Sequence, residues 1–188
     1  MKVEFCSDYA KKLHNTLQQL NWQEVTQLAE ALRKVWGEGR QVFLCGNGGS
    51  AANAIHLAND FIYGISSTDG IGLKATALPA NQSVLTCLAN DLAFEDIFSK
   101  QLTILGEAGD ILIVFSGSGD SPNIVKSVIK GKELGMKTFA ILGFSGGKCL
   151  KLVDTAIHFA IDDMQIAEDC QQIVGHIIMQ WLSKNPPK

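Results

Sequence analysis

Apolar residues in this chain cluster in two ways. Short, largely apolar runs at Gln41 to Cys45, Leu73 to Leu78, Asp110 to Phe115, Lys137 to Leu142 and Ala156 to Ala160 read as buried strands. Between them lie longer stretches in which apolar positions return at helical spacing. Leu13, Leu17 and Leu20, then Val25, Leu28, Leu32 and Val35, predict a helical region over 7–37 with a break near Asn21. Ser7 or Asp8 is placed to cap it, and Gly37 and Gly39 end it. Further helices are predicted over Gln82 to Leu88, in the amphipathic stretch that follows Asn90-Asp91 up to Leu105, after the Ser116 to Pro122 turn through Leu134, over Lys148 to Leu152, and from Asp163 to Leu182. Tyr63 to Gly72 has the composition of a loop. Strands alternating with helices predict an α/β fold, a parallel sheet covered on both faces, with ligands at the carboxyl ends of the strands. The expected organisation is a single domain over 1–188: an N-terminal helical pair at 1–38 ahead of an α/β core at 39–184. That pair packs either on its own sheet or on a partner subunit.

Composition narrows the class. With 188 residues, 46% hydrophobic and 19% charged, the chain is long enough for a substantial core. A net charge of −3 with no Lys/Arg run gives no surface for nucleic acid. The opening residues lack an apolar secretory region, and no apolar run reaches spanning length, so a cytoplasmic protein with no membrane partner is expected. The five cysteines are scattered, never in C-x-x-C spacing, and read as reduced small hydrophobes.

Candidate chemistry begins where the first strand ends. Gly46, Asn47, Gly48 and Gly49 form a glycine-rich turn, and Ser50 opens an alanine-rich helix. Glycines let the backbone approach an anion, and the free N–H groups of a helix start point at it. The third strand runs into a second such turn, Ser116-Gly117-Ser118-Gly119-Asp120-Ser121, which offers hydroxyls and backbone N–H groups at the same sheet edge. Neither turn fits a nucleotide fingerprint. His56 and Asp60 follow at i, i+4 on the first helix, and Glu168, Gln172 and His176 make a polar stripe on the last. Each is either a solvated face or half of one cluster. Joined, His56, Asp60, Glu168 and His176 suit Zn²⁺ or general acid–base chemistry. His14 and His158 have no such company.

Several motifs together carry a resemblance. C-G-N-G-G-S-A-A with H-L-A-N-D, then A-N-D-L-A-F-E-D-I-F, then S-G-S-G-D-S-P-N-I-V-K resemble a sugar isomerase (SIS) domain, and more narrowly the phosphoheptose (sedoheptulose 7-phosphate) isomerases. The likeness runs from about Trp22 to Leu182 and implies a three-layer SIS-type fold. It also implies a cytoplasmic homotetramer with active sites between subunits, often holding zinc. Such enzymes interconvert sedoheptulose 7-phosphate and a heptose 7-phosphate at the head of lipopolysaccharide or surface-glycan heptose synthesis. By the resemblance, Asn47, Gly48, Ser50, Ser116, Gly117, Ser118 and Ser121 contact phosphate and sugar, and Asp91 contacts sugar. His56 and His176 match the family's two active-site histidines. The family's catalytic Glu is here Asp60, and its Gln in the last helix is here Glu168, so Asp60, His176 and Glu168 are the expected catalytic groups. The arginine that commonly follows the first active-site helix is missing from F-I-Y-G-I. The alternative is a non-catalytic SIS module that binds a sugar phosphate or a protein; one relative binds the bacterial replication initiator.

Overall fold

Successive side chains on a strand point to opposite faces, and the central strands here are apolar at nearly every position, so both faces must be covered. The computed structural model describes residues 3–66 and 71–187. Strands β1 (Gln41–Cys45), β2 (Lys74–Ala77), β3 (Ile111–Ser116), β4 (Lys137–Leu142) and β5 (Thr155–His158) form one sheet in the order β2-β1-β3-β4-β5, with every neighbouring pair parallel. Val42, Leu44, Ile113, Phe115, Ile141 and Ile157 face one core, built with helices α2 (Trp22–Gly37), α3 (Gly49–Ile62) and α8 (Met164–Lys184). Phe43, Cys45, Leu112, Val114, Ala140 and Leu142 face the other, covered by α5 (Ser99–Leu105), α6 (Pro122–Glu133), α7 (Cys149–Leu152) and, partly buried, Leu85 and Leu88 of α4 (Gln82–Asp91). The result is three layers.

The strand order places the site. From β1 the chain goes outward to β2 on one side, and from β3 it goes outward to β4 and β5 on the other. The carboxyl ends of β1 and β3 therefore flank the topological switch point, where connections diverge and leave a crevice. Both glycine/serine turns lie there. Gly48 sits at the N-cap of α3 with φ of 55°, a left-handed conformation that favours glycine.

The N-terminal pair divides between the two expected packings. Val25, Leu28, Ala29, Leu32, Val35 and Trp36 of α2 are buried in the chain's own core, and the side chain of Asn21 caps the helix by accepting from Gln23 N. Helix α1 (Val3–Gln18) buries no residue. It is held to α8 through Tyr9, whose hydroxyl donates to Asp169 at 2.6 Å, and through Lys12, which pairs with Asp163 at 2.6 Å.

Several boundaries differ from the sequence reading. Helix α1 begins ahead of Ser7, so Ser7 does not cap it; the hydroxyl donates instead to the carbonyl of Glu4. Helix α4 continues through Asn90 to Asp91. Strand β5 spans Thr155–His158 and stops short of Ala160. In the stretch read as a loop, Gly64–Ser66 form a 3-10 turn, and 67–70 lie outside the described residues. The buried cysteines behave as small hydrophobes; burial pushes the Cys45 thiol up to about 12.

Candidate active site

Helices α3 and α8 both start at the carboxyl edge of the sheet and run away from it side by side. Their contacts keep one register. Gly49 lies against the carboxylate of Glu168, Asn53 donates to the carbonyl of Glu168 (2.9 Å) and to Oε1 of Gln171 (3.1 Å), and Leu57 packs on Gly175. A Cβ at 175 would fall inside the Leu57 side chain, and one at 49 inside the Glu168 carboxylate. Both helices carry a glycine where the other comes closest.

That approach joins the polar positions of the two helices. His56 Nε2 and His176 Nε2 are 3.0 Å apart, and Asp60 Oδ2 is 3.4 Å from the first and 3.7 Å from the second. Asp60 is well covered, at 13% side-chain exposure, while the two imidazoles are about half exposed, at 51% and 48%. The three donor atoms fall within 4.8 Å of one another. The set fits a metal ion: tetrahedral zinc bonds of roughly 2.0–2.2 Å place its ligands about 3.3–3.6 Å apart, close to these separations. The expected grouping of four thus becomes three. Glu168 is two helical turns before His176, about 12 Å along the axis at 1.5 Å per residue.

Glu168 instead lines a cavity of about 270 Å³ at the switch point, together with Asn47, Gly48, Ser50, Ser116, Gly117, Ser118 and Ser121. Seven of the eight expected substrate contacts are therefore brought to one pocket. Ser116 Oγ accepts from Gly119 N at 3.0 Å, and Ser118 Oγ accepts from Asp120 N at 3.3 Å, which shapes the turn around its hydroxyls. Ser121 is the N-cap of α6 through its carbonyl, with no side-chain cap bond, and it lines the cavity. Among the described residues no Lys or Arg lines the cavity. An anion placed there would meet backbone N–H groups, hydroxyls and the N-termini of α3 and α6.

Asp91, the eighth, lies at the end of α4 outside that cavity. Asn90 donates to it and holds its carboxyl below the usual range, helped by the Cys87 thiol, which the same contact pushes up. His158 is taken up by the carbonyl of Phe144 at 2.9 Å, and His14 is exposed away from the trio, as expected for both. The sequence reading missed Asn123, whose buried side chain exchanges two hydrogen bonds with Asn47 (2.9 and 2.8 Å) and ties the first turn to α6. It also missed Gly175, which a glycine inside a helical pattern signals.

A parallel α/β sheet with an anion cradle at its switch point and a titratable trio along the adjoining helices defines a sugar-phosphate-binding domain of the SIS type. The SIS domain family matches residues 4–143, and the chain belongs to that family. Within it, the chain is similar to phosphoheptose isomerases. That of Chlorobaculum parvum is 36% identical over 176 residues, 92% of this chain and 83% of the relative. The solved phosphoheptose isomerase structure of Neisseria gonorrhoeae superposes with a TM-score of 0.88 at 28% identity, covering 96% of this chain and 98% of that one. The Francisella tularensis structure gives 0.90 at 26% identity, covering 98% and 100%.

If the Leu57–Gly175 contact assembles the trio, Gly175→Ala should disturb both fold and site. Overpacking costs about 1–3 kcal/mol and the better helix propensity of Ala returns up to about 1, so a net loss of roughly 1–2 kcal/mol is expected. Denaturant unfolding together with turnover checks this, and turnover should fall further than the folded fraction does. A variant with unchanged stability and full turnover would show that the helices need no glycine there.

Proposed function

We propose that this chain is a phosphoheptose isomerase: it interconverts sedoheptulose 7-phosphate and an aldoheptose 7-phosphate for surface-glycan or lipopolysaccharide heptose synthesis. The observation that carries the reading is the separation of the cradle from the trio. The cradle is closed by Glu168 and the trio contains His176, about 12 Å further along α8. From C1 of a heptose 7-phosphate to its phosphorus there are eight bonds. At the roughly 3.5 Å that three bonds span in an extended chain, the molecule reaches about 9 Å, and the side chains of Asp60 and His176 cover the rest. A phosphate among Ser116, Ser118 and Ser121 therefore leaves C1 and C2 beside Asp60 and His176.

Isomerisation moves one proton between C1 and C2 and one between their oxygens. Asp60 is the base that takes the carbon-bound proton to give an ene-diol and returns it to the neighbouring carbon. His176, from the other helix, serves the oxygens. Glu168, on the wall between phosphate and trio, is the second carboxylate within the sugar's path. Asn47, Gly48, Ser50 and Gly117 shape the phosphate end. His56, Asp60 and His176 would hold a zinc ion, which when bound polarises a sugar oxygen. The same reading assigns the enzyme to the cytoplasm; among the described residues no helix is long and apolar enough to cross a membrane.

Two features support a homotetramer whose sites lie between subunits. Helix α1 has no fully buried residue and packs on its own chain only through the half-buried Tyr9, Leu13 and Leu17, and the trio's imidazoles are half exposed. A subunit neighbour over them would exclude water from the proton transfer and bring Asp91 or its equivalent toward a sugar. Light scattering should give a mass near four chains; a fully active monomer would remove this part of the proposal.

The catalytic assignment is tested by Asp60→Asn, which keeps shape and removes basicity. In a coupled assay on sedoheptulose 7-phosphate its turnover should drop by at least about a hundredfold with folding and phosphate affinity intact. His176→Asn should fall alike, and the double variant should be little worse than either. Near-normal turnover in Asp60→Asn alone would move the base to Glu168. Near-normal turnover in both single variants would discard the mechanism.

A further inference from the structure

Among the described residues Phe144 is the one residue other than glycine with a positive φ, at 45°. With a Cβ that left-handed conformation is disfavoured, and it persists only where the surroundings hold it. Both backbone polar groups of Phe144 are taken up by the chain at and just beyond the end of β5. Its N–H donates to the carbonyl of Ile161 at 3.0 Å, and its carbonyl lies 2.9 Å from His158 Nε2. A carbonyl only accepts, so Nε2 carries the proton and donates.

The loop that contains Phe144, running from Gly143 to Lys148, lies along the Ser116 to Ser121 turn of the cavity. Gly143 N donates to the carbonyl of Gly117 at 3.0 Å, Lys148 N to Oδ1 of Asp120 at 3.0 Å, and Cys149 N to the carbonyl of Gly119 at 3.1 Å. The two segments touch backbone to backbone. A Cβ on Gly119 would fall on the carbonyl of Gly146, and one on Gly147 would fall on the carbonyl of Ser118. The Phe144 ring stands 3.4 Å from where a Cβ on Gly117 would lie. A loop in such contact moves only if the turn moves with it.

We infer that His158 is a positioning residue for the cavity: its hydrogen bond holds Phe144 left-handed, and the Gly143–Lys148 loop thereby keeps the Ser116–Ser121 turn in place. His158 is not among the residues that line the cavity, so it acts on a bound anion through Phe144. The inference rests on the proposed phosphate role of that cavity, and its test separates the two. The phosphate takes no part in the proton transfer and is bound alike in substrate and transition state. Loosening its turn therefore raises KM and spares kcat.

Inorganic phosphate affinity, and KM and kcat for sedoheptulose 7-phosphate, are measured on the full chain at a temperature where denaturant unfolding shows each variant folded. Gln and Met both reach about as far as the imidazole, and only Gln donates. His158→Met should weaken phosphate binding and raise KM by about fourfold or more, the loss of one neutral hydrogen bond, with kcat within about twofold. His158→Gln should stay within about twofold of wild type in all three. His158→Ala carries the test if His158→Met fails to fold. Wild-type phosphate affinity and KM in His158→Met would overturn the inference and leave the phosphate reading standing. An equal loss in His158→Gln and His158→Met would make His158 a packing residue only, which also overturns it. No phosphate binding and no turnover by wild type would remove the phosphate reading and the inference together.

Discussion

The contact of Leu57 with the bare backbone of Gly175 sets how near α3 can lie to α8, and the site follows from that distance. Side chains of ordinary length on both helices would hold two packed helices about 8–10 Å apart. A glycine on each, Gly49 at one end and Gly175 further along, lets the pair close while keeping one register. The buried amide of Gln171 and the side chain of Asn53 fasten that register with hydrogen bonds. Polar residues one helix position from these contacts, His56 and His176, then meet at 3.0 Å. A rigid scaffold of this kind is what proton transfer requires, because small misplacements of a base are expensive in rate.

The same two helices fix a length. Their starts help to form the cavity proposed to cradle the phosphate at the switch point, and the trio lies two turns further on. In the proposed reading, one element pair thus positions both the charged end and the reacting end of a substrate. Among the described residues the cavity carries no lysine or arginine, so in the proposed reading its grip on a phosphate depends on N–H groups and hydroxyls aimed by Ser116, Gly119 and the reciprocal Asn47–Asn123 amides. Glu168 adds a carboxylate to that pocket. It opposes a phosphate by charge and favours a bound sugar hydroxyl, which suits a long substrate that extends past it toward Asp60.

Much of this was legible in the sequence. The apolar runs marked all five strands because a parallel sheet buried on both faces needs no polar alternation. The two glycine/serine turns were readable because a strand ending in such a turn before a helix has few other uses. Pairs at i, i+4 gave the correct helix faces. What periodicity cannot give is how far one helix has slid along another, and that slide separates Glu168 from His56, Asp60 and His176 while seating Gln172 beside them. Composition likewise could not tell that α2 is buried in the chain's own core while α1 only leans on it through the half-buried Tyr9, Leu13 and Leu17, since both carry apolar stripes. Asp91, marked by the resemblance alone, stands away from the cradle of its own chain.

In the proposed mechanism, α3 and α8 measure the substrate from phosphate to carbonyl. Values of kcat/KM for five-, six- and seven-carbon ketose phosphates, each phosphorylated at its terminal carbon, test it most directly. Each carbon removed draws C1 back by roughly 1.2 Å from the trio. Because a 1 Å misplacement can cost on the order of a hundredfold, sedoheptulose 7-phosphate should lead the five-carbon ketose by at least about that factor. Equal values across the series, or a preference for the shorter sugars, would contradict it.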